Sequence, residues 1–259
     1  MMTNNLQDKI NYSINLIRKG EKLALLMSDK GYYVGFSGGK DSQVVLELCK
    51  MAGVKFRAVY SPTTNDPADN VRFIKQHYPS VIFDKPKKSF LQLVREKGLP
   101  TRKFRFCCAI LKEGAGVGNV VITGIRRQES RKRSQYPEFE RFGKQGKTLE
   151  EMTERNFECV NGKDKFMLRP ILEWTENDVW QFITIYNLPI NPCYSIHKRV
   201  GCVLCPFAPK RQLIKVKESY PKLYKALLHA LQDFIDKKNR GGHLHQQKSI
   251  LIGGYPNKA

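Results

Sequence analysis

The segment Ser37-Gly38-Gly39-Lys40-Asp41-Ser42 lies between an apolar run, Tyr32-Tyr33-Val34-Gly35-Phe36, and a helix-compatible run, Gln43-Val44-Val45-Leu46-Glu47-Leu48. A strand that enters a helix through a Gly-Gly turn presents free backbone N–H groups at the positive end of the helix dipole. Glycine lets the backbone approach a ligand closely, and Ser37, Ser42 and Lys40 add donors. The segment therefore predicts a phosphate cradle on a β-turn-α unit. A plain β–α turn with no ligand is the simpler alternative. The Walker A pattern is excluded, because Asp41 stands where that loop needs Ser or Thr after Gly-Lys.

With 259 residues, 41% of them hydrophobic, the chain is long enough for one large domain or one domain with an appendage. No apolar run is long enough to span a bilayer, and Met1-Met2-Thr3-Asn4-Asn5 lacks the layout of a secretory signal, so a cytoplasmic location is expected. Lys and Arg number 45 against 24 Asp and Glu, a net charge of +21. Such an excess suits a nucleic acid or another phosphate-rich partner, with a generally basic surface as the alternative. Seven cysteines without an export signal read as reduced thiols, metal ligands or catalytic thiols rather than as a disulfide framework.

An amphipathic lead-in helix is expected over 6–29. Strands are expected at 32–36, 56–60, 81–83 and 119–123, with helices at 41–52, 67–78 and 88–97 between them. This alternation predicts an α/β fold with a parallel sheet sandwiched by helices. In such sheets ligands bind at the carboxyl ends of the strands, so Ser37–Ser42, Ser61–Asp66 and Gly124–Arg127 are expected on one rim. Asp66-Pro67 reads as a helix start. Residues 126–165 break the alternation with a polar, basic stretch. A helix is expected at about 175–187, with Thr175 as its cap and Asp178 at the third position. Residues 210–239 read as a basic helical tail, and Gly241–His245 as a flexible end. The organisation expected is an N-terminal helix (1–30), a nucleotide-binding and cluster domain (31–210) and a tail (211–259).

Arg126 and Arg127 follow a strand and Gly124, in a frame suited to clamping phosphate or sulfate; a solvated charge run is the alternative for them and for Arg131–Arg133. Two cysteine pairs stand out, Cys107-Cys108 and Cys202-Val203-Leu204-Cys205. A C-x-x-C loop can place two thiolates on one metal or cluster, and a second pair completes four ligands; redox pairs share the spacing. Adjacent cysteines suit a cluster of several irons better than one tetrahedral zinc. Arg102, Lys103, Arg105, Lys198 and Arg199 would offset the thiolate charge. Cys49 and Cys159 read as buried apolar side chains. Thr63, Thr64, Asn65 and Asp66 follow the second strand, where they could meet an adenosine or ribose. His197 reads as a polar surface residue, His243 and His245 as part of a loose tail, and Glu173, Glu176 and Asp178 as helix-capping acids. Trp174 and Trp180 read as core.

Taken in order, these motifs resemble the phosphoadenosine phosphosulfate (PAPS) reductase family of the PP-loop adenine nucleotide α-hydrolase superfamily. The resemblance covers most of residues 30–210. It is carried by Ser37–Ser42, Thr123–Arg127 with Ser130 and Arg133, Arg169–Thr175, Asp178-Val179-Trp180, Leu188–Tyr194 and Gly201–Cys205. Within the family, a Cys-Cys pair with a later C-x-x-C is similar to the iron-sulfur adenylyl-sulfate reductases and to the DNA phosphorothioation sulfurtransferases. The resemblance implies a 4Fe-4S cluster on Cys107, Cys108, Cys202 and Cys205. It also implies a nucleotide, ATP or adenylyl sulfate, held by Ser37, Gly38, Gly39, Lys40, Asp41 and Ser42 with Thr63 and Gly124. Lys40, Arg126 and Arg127 are the expected catalytic groups, and Mg2+ is expected to accompany ATP.

One departure bears on the reaction. The reductases carry a nucleophilic cysteine in a later Glu-Cys-Gly motif, whereas no cysteine follows Cys205 in this sequence, and Cys193 is the remaining candidate near the site. With the net charge, this favours an enzyme that adenylates DNA or tRNA for sulfur transfer, served by a sulfur donor. The alternatives are a sulfonucleotide reductase supplied by a thiol reductant protein, and a nucleic-acid-binding relative without catalysis.

Overall fold

The computed structural model describes residues 4–141 and 164–240. The elements in chain order are α1 (Asn4–Lys19), α2 (Glu21–Met27), β1 (Tyr32–Gly35), α3 (Lys40–Ala52), β2 (Phe56–Tyr60), α4 (Ala68–His77), β3 (Ile82–Phe83), α5 (Phe90–Lys97), the short α6 (Phe106–Cys108), β4 (Asn119–Ile122), β5 (Phe139–Arg141), β6 (Lys165–Leu168), α7 (Glu176–Ile185), α8 (Lys210–Ser219) and α9 (Pro221–Arg240). By contacts the chain divides into two interleaved units. The first comprises residues 1–61, 68–84 and 115–200, and the second comprises 62–67, 85–114 and 201–259.

The first unit is built on a six-stranded sheet of order β3-β2-β1-β4-β6-β5. All pairings are parallel except that of β5 with β6. This is the expected α/β architecture, with one antiparallel edge strand that the sequence pattern hid. Side chains alternate with the pleat. Tyr32, Val34, Ala58, Tyr60, Val120, Ile122, Phe166 and Leu168 join the main core, together with residues of α1, α3 and α7. Tyr33, Val59, Val121 and Met167 form a small cluster of their own. Strand β1 is flanked on one side by β2, which follows it in sequence, and on the other by β4, which returns after β3. That reversal is the topological switch point at which α/β sheets open a crevice.

The helices start and stop for local reasons. The expected lead-in helix is two helices, because Gly20 interrupts it between Lys19 and Glu21; glycine weakens a helix interior. Leu6, Ile10 and Ile17 are fully buried, each worth about 1.5–3 kcal/mol over exposure. Helix α3 ends at Gly53 with a left-handed φ of 70°, a conformation glycine adopts without Cβ strain. Helix α4 begins at Ala68, one residue past Pro67, while the Asp66 carboxylate accepts the Thr63 N–H at 2.6 Å.

In the second unit, α5 opens on a full capping box between Ser89 and Gln92. Phe90, Leu93 and Val94 of that helix pack with Leu227, Ala230, Leu231 and Ile235 of α9, and with Phe106 and Leu111. The expected single tail helix is broken between Ser219 and Pro221, where proline lacks an N–H and clashes with the preceding turn. The flexible end expected at Gly241–His245 lies outside the described residues, as do Cys159 and most of the polar stretch before residue 164. Among the described residues no helix is long and apolar enough to cross a membrane.

Helix α7 is tied to α1 through one carboxylate. Thr175 and Asp178 form the expected capping box, and Asp178 Oδ2 also accepts from Lys9 Nζ at 2.6 Å. Burial works against the Asp178 charge, but the Lys9 ammonium and the Thr175 N–H and hydroxyl outweigh it and hold its pKa below the ordinary value. An Asp178→Ala variant is expected to lose about 1–2 kcal/mol in urea unfolding at neutral pH. The folded carboxyl lies below its unfolded value, so this stabilisation is complete above the unfolded pKa and fades as pH falls through the folded one. The gap between wild type and variant is expected to hold from pH 7 to pH 5 and to shrink below about pH 4. A constant gap down to pH 2.5 would refute the assignment.

Candidate nucleotide cradle and thiol pocket

In the first unit, the loops that follow β1 and β4 enclose a cavity of about 210 Å3. Its lining includes Ser37, Gly39, Lys40, Asp41, Ser42, Gly124, Glu129, Arg133, Tyr194 and Arg199. Backbone approach explains the glycines. Gly38 has φ +75°, and a Cβ there would lie 2.3 Å from Asn70 Oδ1. A Cβ on Gly124 would lie 2.7 Å from the Asp41 carbonyl oxygen, so only glycine lets the β4 loop close on the start of α3.

The loop is held from within and from behind. The Ser42 hydroxyl donates to the Gly39 carbonyl at 2.8 Å and accepts from the Ser37 N–H at 3.2 Å. Asn191, fully buried, donates Nδ2 to the Gly38 carbonyl at 2.8 Å and to Asn70 Oδ1 at 2.7 Å. Asn70 in turn donates to the Ser37 carbonyl at 3.1 Å. Asn191 falls in the Leu188–Tyr194 segment that carries the family resemblance, whereas nothing in the sequence pointed to Asn70.

Lys40 is 4% exposed. Its Nζ lies 3.3 Å from Asp41 Oδ2 and 3.6 Å from Glu176 Oε1, and 5.9 Å and 5.8 Å from the ring centroids of Trp180 and Tyr194. Acids and aromatic faces thus replace water around a buried ammonium. The Lys40 N–H, at the start of α3, donates to the Tyr194 hydroxyl at 2.7 Å. Burial raises the Tyr194 pKa, which keeps that hydroxyl protonated. Glu176 and Trp180, read as a cap and as core, therefore also surround the lysine, because α7 presents both residues to it.

The arginines divide. Arg126 is buried and donates Nε to Asp41 Oδ1 at 2.6 Å, standing behind the cradle. Arg127 pairs with Glu173 and the Ser134 carbonyl, and it lines a different cavity of about 600 Å3 with Lys9, Tyr12, Glu138 and Trp174. The arginines that line the cradle are Arg133 and Arg199, both paired with Glu129. Arg199, expected to offset thiolate charge, is thus engaged at the cradle. His197 is buried rather than a surface residue, and burial lowers its pKa. Cys193 is 1% exposed with its thiol pushed up to about 11 by burial, and Cys49 is buried as expected.

In the second unit, Cys107, Cys108, Cys202 and Cys205 line one small pocket with Thr63, Asn65, Lys112 and Leu204. Cys107 and Cys108 sit on α6, which continues as a π-helical turn through Glu113. The C-x-x-C loop is fixed by Asn65, whose carbonyl accepts the Val203 N–H at 2.7 Å and whose Oδ1 accepts the Leu204 N–H at 3.2 Å. All four cysteines are free thiols. The Cys107 thiol hydrogen-bonds Cys108, and this bond, opposed by burial and assisted by Lys112 and Arg105, lowers the Cys108 pKa to about 6. The same bond and burial raise Cys107. Lys112, not singled out in the sequence, hydrogen-bonds Cys202. Thr63, expected at the nucleotide, has its hydroxyl 3.4 Å from Cys202 Sγ. Among the described residues, no group of three or more His, Cys, Asp or Glu is placed to hold a metal ion.

Residues 31–208 match the phosphoadenosine phosphosulfate reductase domain. Similar proteins include two uncharacterized proteins of Methanocaldococcus jannaschii. One is 28% identical over 226 residues (82% of this chain, 44% of the relative) and the other 28% identical over 237 residues (86% and 52%). The chain therefore spans about half the length of these relatives. The adenosine 5'-phosphosulfate reductase of Lysinibacillus sphaericus is 24% identical over 219 residues, covering 77% of this chain and 85% of that protein. Among solved structures, the PAPS reductase of Candida auris in complex with phosphate aligns over 78% of this chain and 96% of that chain, at 16% identity and a TM-score of 0.47. The matched span exceeds half of the sequence and contains both the cradle and all four thiols, so the chain belongs to the phosphoadenosine phosphosulfate reductase domain family.

Proposed function

We propose that this chain is a PP-loop enzyme of sulfur chemistry that binds ATP or an adenylyl nucleotide in the cradle and adenylates a nucleic-acid acceptor for sulfur transfer. The observation that carries the reading is the cradle itself. Gly39, two loop hydroxyls and a buried lysine line one cavity at the switch point of the sheet, on a turn shaped by the positive-φ Gly38, in a chain of this family. In the reaction, an acceptor oxygen attacks the α-phosphorus of MgATP. The bridging bond to the β-phosphate breaks, pyrophosphate leaves, and the acceptor carries AMP until a sulfide-level sulfur nucleophile from the donor attacks the activated acceptor atom and AMP departs with the original acceptor oxygen. The loop N–H groups and Lys40 hold the phosphates as charge builds on them, with Arg133 and Arg199 at the lining. Arg126 positions Asp41 beside Lys40 rather than touching the anion.

Four thiols lining one pocket, with Lys112 and Arg105 beside them, are a donor set that fits a 4Fe-4S cluster. Cys107, Cys108, Cys202 and Cys205 would hold it, and it would tune the local field or hold and deliver sulfur. Sulfur transfer is favoured over sulfonucleotide reduction by the net charge of +21 and by Cys193, which is buried with a raised pKa and so unsuited to attack sulfur. A reductase that draws its thiol from a partner is the competing reading, and sulfite release from adenylyl sulfate would establish it.

Two outcomes are expected. Incubated anaerobically with MgATP and nucleic acid, the protein forms AMP and pyrophosphate. Lys40→Ala lowers that rate by about 100-fold, and Gly38→Ala also lowers it by forcing a side chain against Asn70. ADP as product would contradict α-phosphate chemistry. Purified without oxygen, the protein carries iron and acid-labile sulfide, and Cys108→Ser or Cys202→Ser removes most of both. A colourless, iron-free wild-type protein would remove the cluster from the account.

A further inference from the structure

The rim of the thiol pocket carries groups that the chemistry at the cradle does not use. Residues 101–105, just before the first thiol pair, are all exposed and include Arg102, Lys103 and Arg105. Phe104 among them is 58% exposed, and Phe207, two residues past Cys205, is 51% exposed. These aromatics stand on fixed backbone. The Thr101 N–H donates to the Phe104 carbonyl at 3.1 Å, and the Phe104 N–H donates to the Thr101 hydroxyl at 3.0 Å. Arg102 Nε donates to the Pro206 carbonyl at 3.2 Å, joining the loops that bear the two pairs, and the Arg105 guanidinium lies 5.2 Å from the Phe207 ring centroid.

The charge is concentrated in the same unit. Over residues 62–67, 85–114 and 201–240 it has eighteen Lys and Arg against six Asp and Glu, a net of +12 out of +21 for the whole chain. Half-exposed rings interleaved with fixed cations match a polymer that offers flat π-faces and phosphates together. A duplex hides its base faces inside the stack; a single strand presents them.

We infer that this rim is a docking surface for single-stranded nucleic acid. Phe104 and Phe207 take bases by stacking, and Arg102, Lys103 and Arg105 take phosphates. The inference deepens the proposed function by placing the acceptor's nucleotides beside the thiols.

The test is fluorescence anisotropy of the full chain with a labelled oligothymidine, the same length of duplex DNA, and polyglutamate, at two salt concentrations and without ATP. The single strand is expected to bind tightest. Phe104→Ala and Phe207→Ala are each expected to weaken it by about tenfold without changing the salt slope. Lys103→Gln is expected to reduce the slope by about 0.7. Phe207→Trp is expected to keep the affinity, and its fluorescence to be quenched on binding, which a merely structural role for the ring would not produce. Alanine variants that bind like wild type, an unquenched Phe207→Trp, or equal binding of duplex or polyglutamate would each overturn the inference. Because ATP is absent, failure here with intact AMP formation refutes the rim alone, whereas absent AMP formation with intact binding refutes the adenylation reading alone.

Discussion

The approach of two neighbouring loops governs the nucleotide side of this molecule. Strands β1 and β4 run parallel and adjacent although α3, β2, α4, β3, α5 and α6 all separate them in sequence. Their carboxyl ends therefore deliver Ser37–Ser42 and Thr123–Ile125 to one cavity. The distance between them is set by Gly124, whose missing side chain lets it rest against the Asp41 backbone. Asp41 is then in reach of Arg126 on one side and Lys40 on the other. A buried ammonium is tolerable in low dielectric when carboxylates stand beside it.

How much of this could be read from the chain depended on how local each signal was. Strands β1, β2 and β4 were legible because apolar runs bounded by turn residues have few other uses. The cradle was legible because its glycines, lysine and serines are contiguous. The helix at Thr175 was legible from its cap. Strand β6 was not: its four residues open with Lys165, whose ammonium donates to the Ala115 carbonyl at 2.6 Å, a compensation made fifty residues away. Strand β5 was hidden because Glu140 and Arg141 look like loop residues until Arg169 and Asp164 are seen to pair with them.

The same distinction applies to the sites. Arg126 and Arg127 are adjacent and looked equivalent, yet the extended backbone at Arg126 sends them to different places, one behind Asp41 and one to Glu173. Asn191 and Tyr194 lie in one motif, Leu188–Tyr194, that marked the family but not their hold on the cradle, and nothing about a lone Asn70 announces that it completes the same brace. The thiol pairs were legible as pairs, but the lysine among them came into view only through the turn that carries Cys107 and Cys108 on toward Glu113.

The interleaving of the two units has a bearing on how the protein is made. Cys108 and Cys202 are separated by ninety-four positions, nearly all of which belong to the other unit. On a ribosome adding about 5–20 residues per second, the first thiol pair would wait roughly 5–20 s for the second to be synthesised. During that interval Phe106 and Leu111 also lack Leu227 and Leu231, their packing partners near the end of the chain. Neither unit can be cut out as an unbroken stretch of polypeptide, so gene fragments ending between them would leave both unfinished.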